Sequence, residues 1–143
     1  MEVNTMLFKN DEHKEFYDKQ IDTWKLYNKG RADCYAHALI YTLGICDDTR
    51  LHFESICDVK RRRVVPKAIY AGWQSSGSTK VTRLAFQLFT DQPVTAYSDT
   101  DGFDFDECKE YSVSDIFCCG FAPYFVEAIK LRYPEYFAFS HKE

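Results

Sequence analysis

Residues 33–44 hold the pattern that most constrains what this chain can fold into. Ala36, Leu39, Ile40 and Leu43 stand at i, i+3, i+4 and i+7, the spacing that puts four apolar side chains on one face of a helix. Asp33 precedes the run as a capping residue and Gly44 ends it. Such a stripe belongs against a core, and the chain offers other helices to build one. Asn10, Asp11 and Glu12 form a helix start, with a cap and then acids at the positive end of the dipole. Tyr17, Ile21, Trp24 and Tyr27 recur at helical spacing, and Gly30 stops the run.

Further along, Asp47, Asp48 and Thr49 start a shorter helix through Phe53 and Ile56 to about Cys57. Pro66 suits the first position of a short helix reaching about Gly72. After a Ser/Gly loop at 74–78, Ser78 or Thr79 is expected to cap a helix striped by Val81, Leu84, Ala85 and Leu88, which breaks at 91–93. Val94, Thr95 and Tyr97 favour extended structure, and Asp101 with Gly102 is a hairpin turn signal. Ser112 and Asp115 have capping-box spacing ahead of Ile116 and Phe117. Pro123 opens a last long helix with Phe125, Val126 and Ile129 on one side, and Pro134 ends it. Tyr136, Phe137 and Phe139 make the tail too apolar to stand in solvent. The expectation is a mainly α chain: one compact domain over residues 1–143, a bundle of about five to six helices, with one small β-hairpin near residues 94–106.

At 45% hydrophobic and 28% charged residues, a chain of 143 residues can bury a core without metal or disulfide. The six cysteines are therefore expected as free thiols in a reducing compartment. No signal peptide is read at the N-terminus, and the apolar run at 36–45 is too short to cross a bilayer. These features place the chain in the cytoplasm, with no membrane partner.

The charges are unevenly placed. Residues 49–83 carry Arg50, Lys60, Arg61, Arg62, Arg63, Lys67, Lys80 and Arg83 against Glu54 and Asp58, a net +6 in a chain whose total is −4. Residues 91–115 carry eight acids against Lys109, a net −7. A basic block can hold phosphates, and an acidic block can hold a basic groove on another protein. The candidate contact joins Arg50, Lys60, Arg61, Arg62, Arg63, Trp73, Lys80 and Arg83. A second, acidic surface gathers Asp99, Asp101, Asp104, Asp106 and Glu107 and could mimic phosphates. The alternative is that basic and acidic segments pair within the fold.

Catalytic motifs are missing. The loop at 72–79 has two glycines at phosphate-loop spacing, but Ser78 stands where the lysine belongs, so a Walker-type site is rejected. One anion on free N–H groups near Lys80 and Arg83 remains an option, an ordinary capped turn being favoured. Cys34, His37, Cys46, His52 and Cys57 are zinc-type ligands without zinc-type spacing, so neither metal nor cofactor is expected.

The segments 39–44, 48–50, 73–78 and 81–86 (Leu39 to Gly44, Asp48 to Arg50, Trp73 to Ser78, Val81 to Phe86) resemble an uncharacterised family of small bacterial proteins, a domain of unknown function met on phages and other mobile elements. The resemblance covers roughly residues 8–90 and carries no activity or catalytic residue. It implies a context in which small acidic proteins bind and disable host machinery, CRISPR effectors among it. The expected function is non-enzymatic binding of a host protein or ribonucleoprotein, as an anti-CRISPR-like inhibitor of host defence. The alternatives are a nucleic-acid-binding accessory or regulatory protein, and a small enzyme acting on an anionic or nucleotide substrate near Thr79 and Arg83. Oligomeric state is not legible.

Overall fold

Four helices of ten or more residues frame the molecule: α1 (Asp11–Tyr27), α2 (Cys34–Leu43), α5 (Ser76–Thr90) and α8 (Ala122–Arg132). The computed structural model describes residues 5–95 and 105–137. Short pieces link the frame: α3 (Asp47–Leu51), α4 (Phe53–Ile56), a 3-10 turn (Pro66–Tyr70), α6 (Phe105–Cys108), a second 3-10 turn (Lys109–Tyr111), α7 (Val113–Phe117) and α9 (Pro134–Phe137). The chain is mainly α, as its periodicity requires.

Helix α2 sits at the centre, against α5, α8 and α1. All four residues of its stripe are buried, and so are Ala38, Tyr41 and Thr42 on the other faces. It is thus a core helix rather than a one-sided surface helix. Asp33 caps it, accepting the Ala36 N–H at 3.0 Å. Its C-terminal carbonyls are satisfied by α3: the Thr49 hydroxyl donates to the Leu43 carbonyl (2.6 Å) and Arg50 donates to the Gly44 carbonyl (2.7 Å). Gly44 is there for space, since a Cβ at that position would lie 2.7 Å from Phe16 Cδ2 and 2.8 Å from His13 Cδ2.

Helix α1 starts where expected, with the Asn10 side chain accepting the His13 N–H at 2.8 Å. It buries His13, Tyr17, Ile21 and Trp24. It ends with the Gly30 N–H donating back to the Lys25 carbonyl at 2.8 Å. Both Lys29 (φ 58°) and Gly30 (φ 80°) are left-handed, so the stop begins at a lysine. His13 is fully buried against Phe8 and Tyr41. Its Nε2 donates to the Tyr41 carbonyl (2.8 Å) and its Nδ1 accepts the Lys9 N–H (3.1 Å), which fixes the neutral tautomer.

Several local expectations are corrected. Ser75, not Ser78 or Thr79, caps α5; Ser78 occupies the third helical position and closes a reciprocal capping box. Helix α8 buries Phe125, Ala128 and Arg132, while Val126 is 45% exposed, because the face toward α2 runs i, i+3, i+7. In the tail, Tyr136 is 77% exposed rather than packed, and Phe139 lies outside the described residues. Among the described residues the one sheet pairs β1 (Cys57–Asp58) with β2 (Arg63–Val64), antiparallel, with Cys57 opposite Val64 and Asp58 opposite Arg63. The hairpin expected at 94–106 falls largely on residues 96–104, outside the described ones. At its far end Phe105 and Asp106 are helical. At its near end the Val94 carbonyl accepts from the buried Tyr111 hydroxyl at 2.5 Å.

Arg132 locks three helices together. Its Nε donates to the Leu88 carbonyl (3.0 Å), its Nη2 pairs with Asp91 (2.7 Å), and its guanidinium lies 3.6 Å from the centre of the Tyr35 ring. Asp91 closes α5 in the left-handed region (φ 64°). No helix among the described residues is long and apolar enough to cross a membrane. All six cysteines are free, with Cys46 and Cys57 buried.

Candidate interaction surface

The basic run at 60–63 forms the tip of the β1–β2 hairpin, and local chemistry sets its shape. Asp58 seeds the turn: one carboxylate oxygen accepts the Arg61 N–H (3.1 Å) and the other pairs with the Arg61 guanidinium (3.1 Å). Those hydrogen bonds hold the Asp58 carboxyl below the usual range. The Arg62 N–H donates to the Val59 carbonyl at 3.2 Å, and Arg62 itself is left-handed, at φ 55°. Lys60, Arg61, Arg62 and Arg63 are all exposed, Arg61 at 68% of its side chain.

One contact decides where this tip points. Arg62 Nη1 donates to the Tyr27 carbonyl at 2.8 Å, a C-terminal carbonyl of α1 with no partner inside the helix. The cation therefore sits at the negative end of the α1 dipole. The same helix end presents Lys25, Lys29 and Arg31, all exposed. The hairpin tip thus meets the end of α1, near which three further cations are exposed. Of the carboxylates close by in sequence, Asp58 is held by Arg61 and Asp33 caps α2. Lys25, Lys29 and Arg31 were missed in the sequence because their own neighbourhood is not unusually basic.

Beneath this face lies a concavity of about 320 Å³ bounded by Trp24, Asn28, Asp33, Tyr35, Arg62 and Phe89. Its aromatic walls come from α1, α2 and α5, with Trp24 and Phe89 edge to face at 5.8 Å. Arg62 belongs to both the cationic face and this concavity.

The remaining candidate residues are placed elsewhere. Arg50 is only 15% exposed; it caps α2 and pairs with Asp47. Arg83 is 12% exposed, pairs with Glu110 at 2.7 Å, and leaves its buried Nε without a partner. Lys80 donates to the Asp115 carbonyl. Trp73 is half-buried and lies flat on His52, with ring centres 4.2 Å apart and planes 4° apart. Lys80 and Arg83 line a different cleft, about 620 Å³, together with Ser75, Thr79, Glu110 and Asp115. Its carboxylates oppose an anion, and the Ser78 and Thr79 N–H groups are taken by Ser75.

Of the acidic set, Asp99, Asp101 and Asp104 lie outside the described residues, Asp106 falls within α6, and Glu107 accepts a hydrogen bond from the Tyr70 hydroxyl. Among the described residues no three His, Cys, Asp or Glu side chains converge as metal ligands. Cys34 faces Arg132 Nη1 at 3.8 Å, while the Tyr17 hydroxyl donates to His37 Nδ1 at 2.5 Å. Burial raises the Tyr17 phenol to about 12 and lowers His37, so this pair is held neutral.

No curated protein and no solved structure matches the chain. A family model does, and over far more than the 8–90 stretch that carried the resemblance, taking in the C-terminal third as well. The chain belongs to the family of unknown function DUF6075, whose model it matches over residues 3–143.

Proposed function

We propose that this chain works by contact rather than by chemistry, as a binding protein whose partner meets the cationic face built from α1's end and the β1–β2 tip. The observation that carries the reading is the Arg62–Tyr27 hydrogen bond, which brings the basic hairpin tip against the end of α1, where Lys25, Lys29 and Arg31 are also exposed. Their charges are not cancelled internally: Arg61 alone of these cations is paired with a carboxylate among the described ion pairs. Arg50, Lys80 and Arg83, by contrast, serve the fold. In this reading the partner is a host protein or ribonucleoprotein, and the chain is a phage or mobile-element product acting in the cytoplasm as an anti-CRISPR-like inhibitor. That context is supported by the resemblance alone.

The test is affinity capture from the native host with the wild type and with a Lys25→Glu/Lys60→Glu variant. Both positions are exposed, so the fold should survive the change. A partner held by the wild type and released by the variant supports the reading. Equal capture by both removes it.

A further inference from the structure

We infer that the protein pairs with a second copy of itself, the hairpin tip of each copy seated in a groove on the other. The groove lies between the first half of α1 and the α3–α4 elbow and holds about 640 Å³. Phe16 and Phe53 line it, edge to face at 5.0 Å. Glu12 and Glu15 line it from α1 and Glu54 from α4; all three are exposed, and none belongs to a described ion pair. Among the described lining residues Lys19 alone opposes them, because Arg50 is held by Asp47 and the Gly44 carbonyl. Leu51, on the same wall, is 78% exposed, an apolar side chain left in solvent.

Such a groove suits cations that stand beside an apolar side chain, and the chain carries that combination itself. Lys60, Arg61, Arg62 and Arg63 are exposed at the hairpin tip, and Arg62 holds the tip against the Tyr27 carbonyl. Leu26, the residue before Tyr27, is 77% exposed. Opposite charges steer tip to groove, and the contact takes apolar surface out of water on both sides.

One molecule cannot make this contact with itself. Glu15 and Tyr27 are separated by about 18 Å along the axis of α1, and the hydrogen bond to Tyr27 ties the tip to the far end. A second copy can make it twice. Helix α4 meets α1 where Phe53 touches Phe16, and the hairpin that follows α4 meets α1 again at Tyr27, so groove and tip share one flank of the helix. Two copies with their α1 helices antiparallel bring each tip to the other's groove, and the spacing matches because it is the same spacing in both. The result is a closed two-fold dimer. This goes beyond the contact reading: the surface that a host partner would meet is covered in the dimer, and the partner has to compete with the second copy for it.

The experiment is sedimentation velocity on the full chain, over a concentration series up to about 1 mM, in about 50 mM and about 500 mM salt. At low salt the mass should rise with concentration and level off at twice the 16.8 kDa of one chain; at high salt it should fall back toward one chain. Two variants separate the surfaces. Lys25→Glu/Lys60→Glu reverses charge at the tip and Glu15→Lys/Glu54→Lys reverses it in the groove, all at exposed positions. Each alone sets like charges against each other and should stay a monomer at low salt, with the wild-type circular dichroism spectrum. Mixed in equal amounts, they should dimerise again, because every tip then finds a groove of opposite charge. A wild type that is monomeric throughout, a dimer indifferent to salt, growth past two copies, or a mixture of variants that stays monomeric would each overturn the pairing. A monomeric wild type that still captures a host partner through Lys25 and Lys60 would leave the contact reading standing.

Discussion

Mild acid should destabilise this protein through His13. The ring is fully buried and both nitrogens are engaged: Nε2–H on the Tyr41 carbonyl and Nδ1 on the Lys9 N–H. A second proton at Nδ1 would have to displace the Lys9 hydrogen bond and place a charge among Phe8, Tyr41 and the core. Burial accordingly pushes the His13 pKa down to about 4 from an ordinary 6.5. The folded state refuses a proton that the unfolded chain accepts, so stability is full above about pH 6.5 and falls as pH drops toward 4. With those two values the loss is about 1.2 kcal/mol from pH 7 to pH 5.5 and about 2.8 kcal/mol by pH 4. His37, also lowered by burial, acts in the same direction. Asp58 and Asp91, held below the usual carboxylate range by Arg61 and Arg132, add to the loss only at the acid end.

The assay is urea unfolding followed by circular dichroism at a series of pH values from 7 to 4.5, with His13→Gln and His37→Gln for comparison. Glutamine can keep a donor toward the Tyr41 carbonyl but does not titrate. The wild-type curve should fall through this interval, and His13→Gln should lose most of the slope whatever its stability at pH 7. A ring resonance of His13 that titrates near 6.5 in the folded protein, or a His13→Gln variant with the full wild-type slope, would refute the reasoning.

Other expectations rest on separate contacts. Gly44→Ala puts a methyl carbon within 3 Å of Phe16 and His13, and should cost about 1–3 kcal/mol in thermal or urea unfolding. Arg132→Met strands the Leu88 carbonyl and removes the Asp91 pair and the Tyr35 contact, though Asp91 keeps the Tyr35 hydroxyl, and should cost about 1–3 kcal/mol; an equally stable variant would show that the clasp is ornamental. Lys29→Gly alone relieves a left-handed lysine at the α1 stop and should raise stability by about 0.5–1 kcal/mol. Ser75→Ala should cost about 1 kcal/mol of helix cap, whereas Thr79→Ala, one turn inside, should cost less; the reverse order would contradict the assigned cap.

Local side-chain chemistry was legible in the linear chain. Asn10, Asp33 and Ser112 cap helices because a short polar side chain reaches an N–H three residues on, whatever surrounds it. Proline at 123 and the left-handed stops near 30 and 91 likewise act on their own backbone, whereas Gly44 answers to Phe16 and His13. The stripe of α2 guaranteed a buried face, but the burial of its remaining faces depended on α1, α5 and α8 arriving together. The candidate surface shows the same division. The run at 60–63 was visible as charge, yet charge density along a chain says nothing about which cations find carboxylates or carbonyls in space. Arg50 and Arg83 were drawn inward by Gly44 and Glu110, while Lys25, Lys29 and Arg31, inconspicuous in sequence, came near the exposed tip because Arg62 reached a carbonyl thirty-five residues upstream. Sequence set the helices and their ends through interactions spanning a turn or two. Tertiary packing alone decided which charges became surface and which became structure.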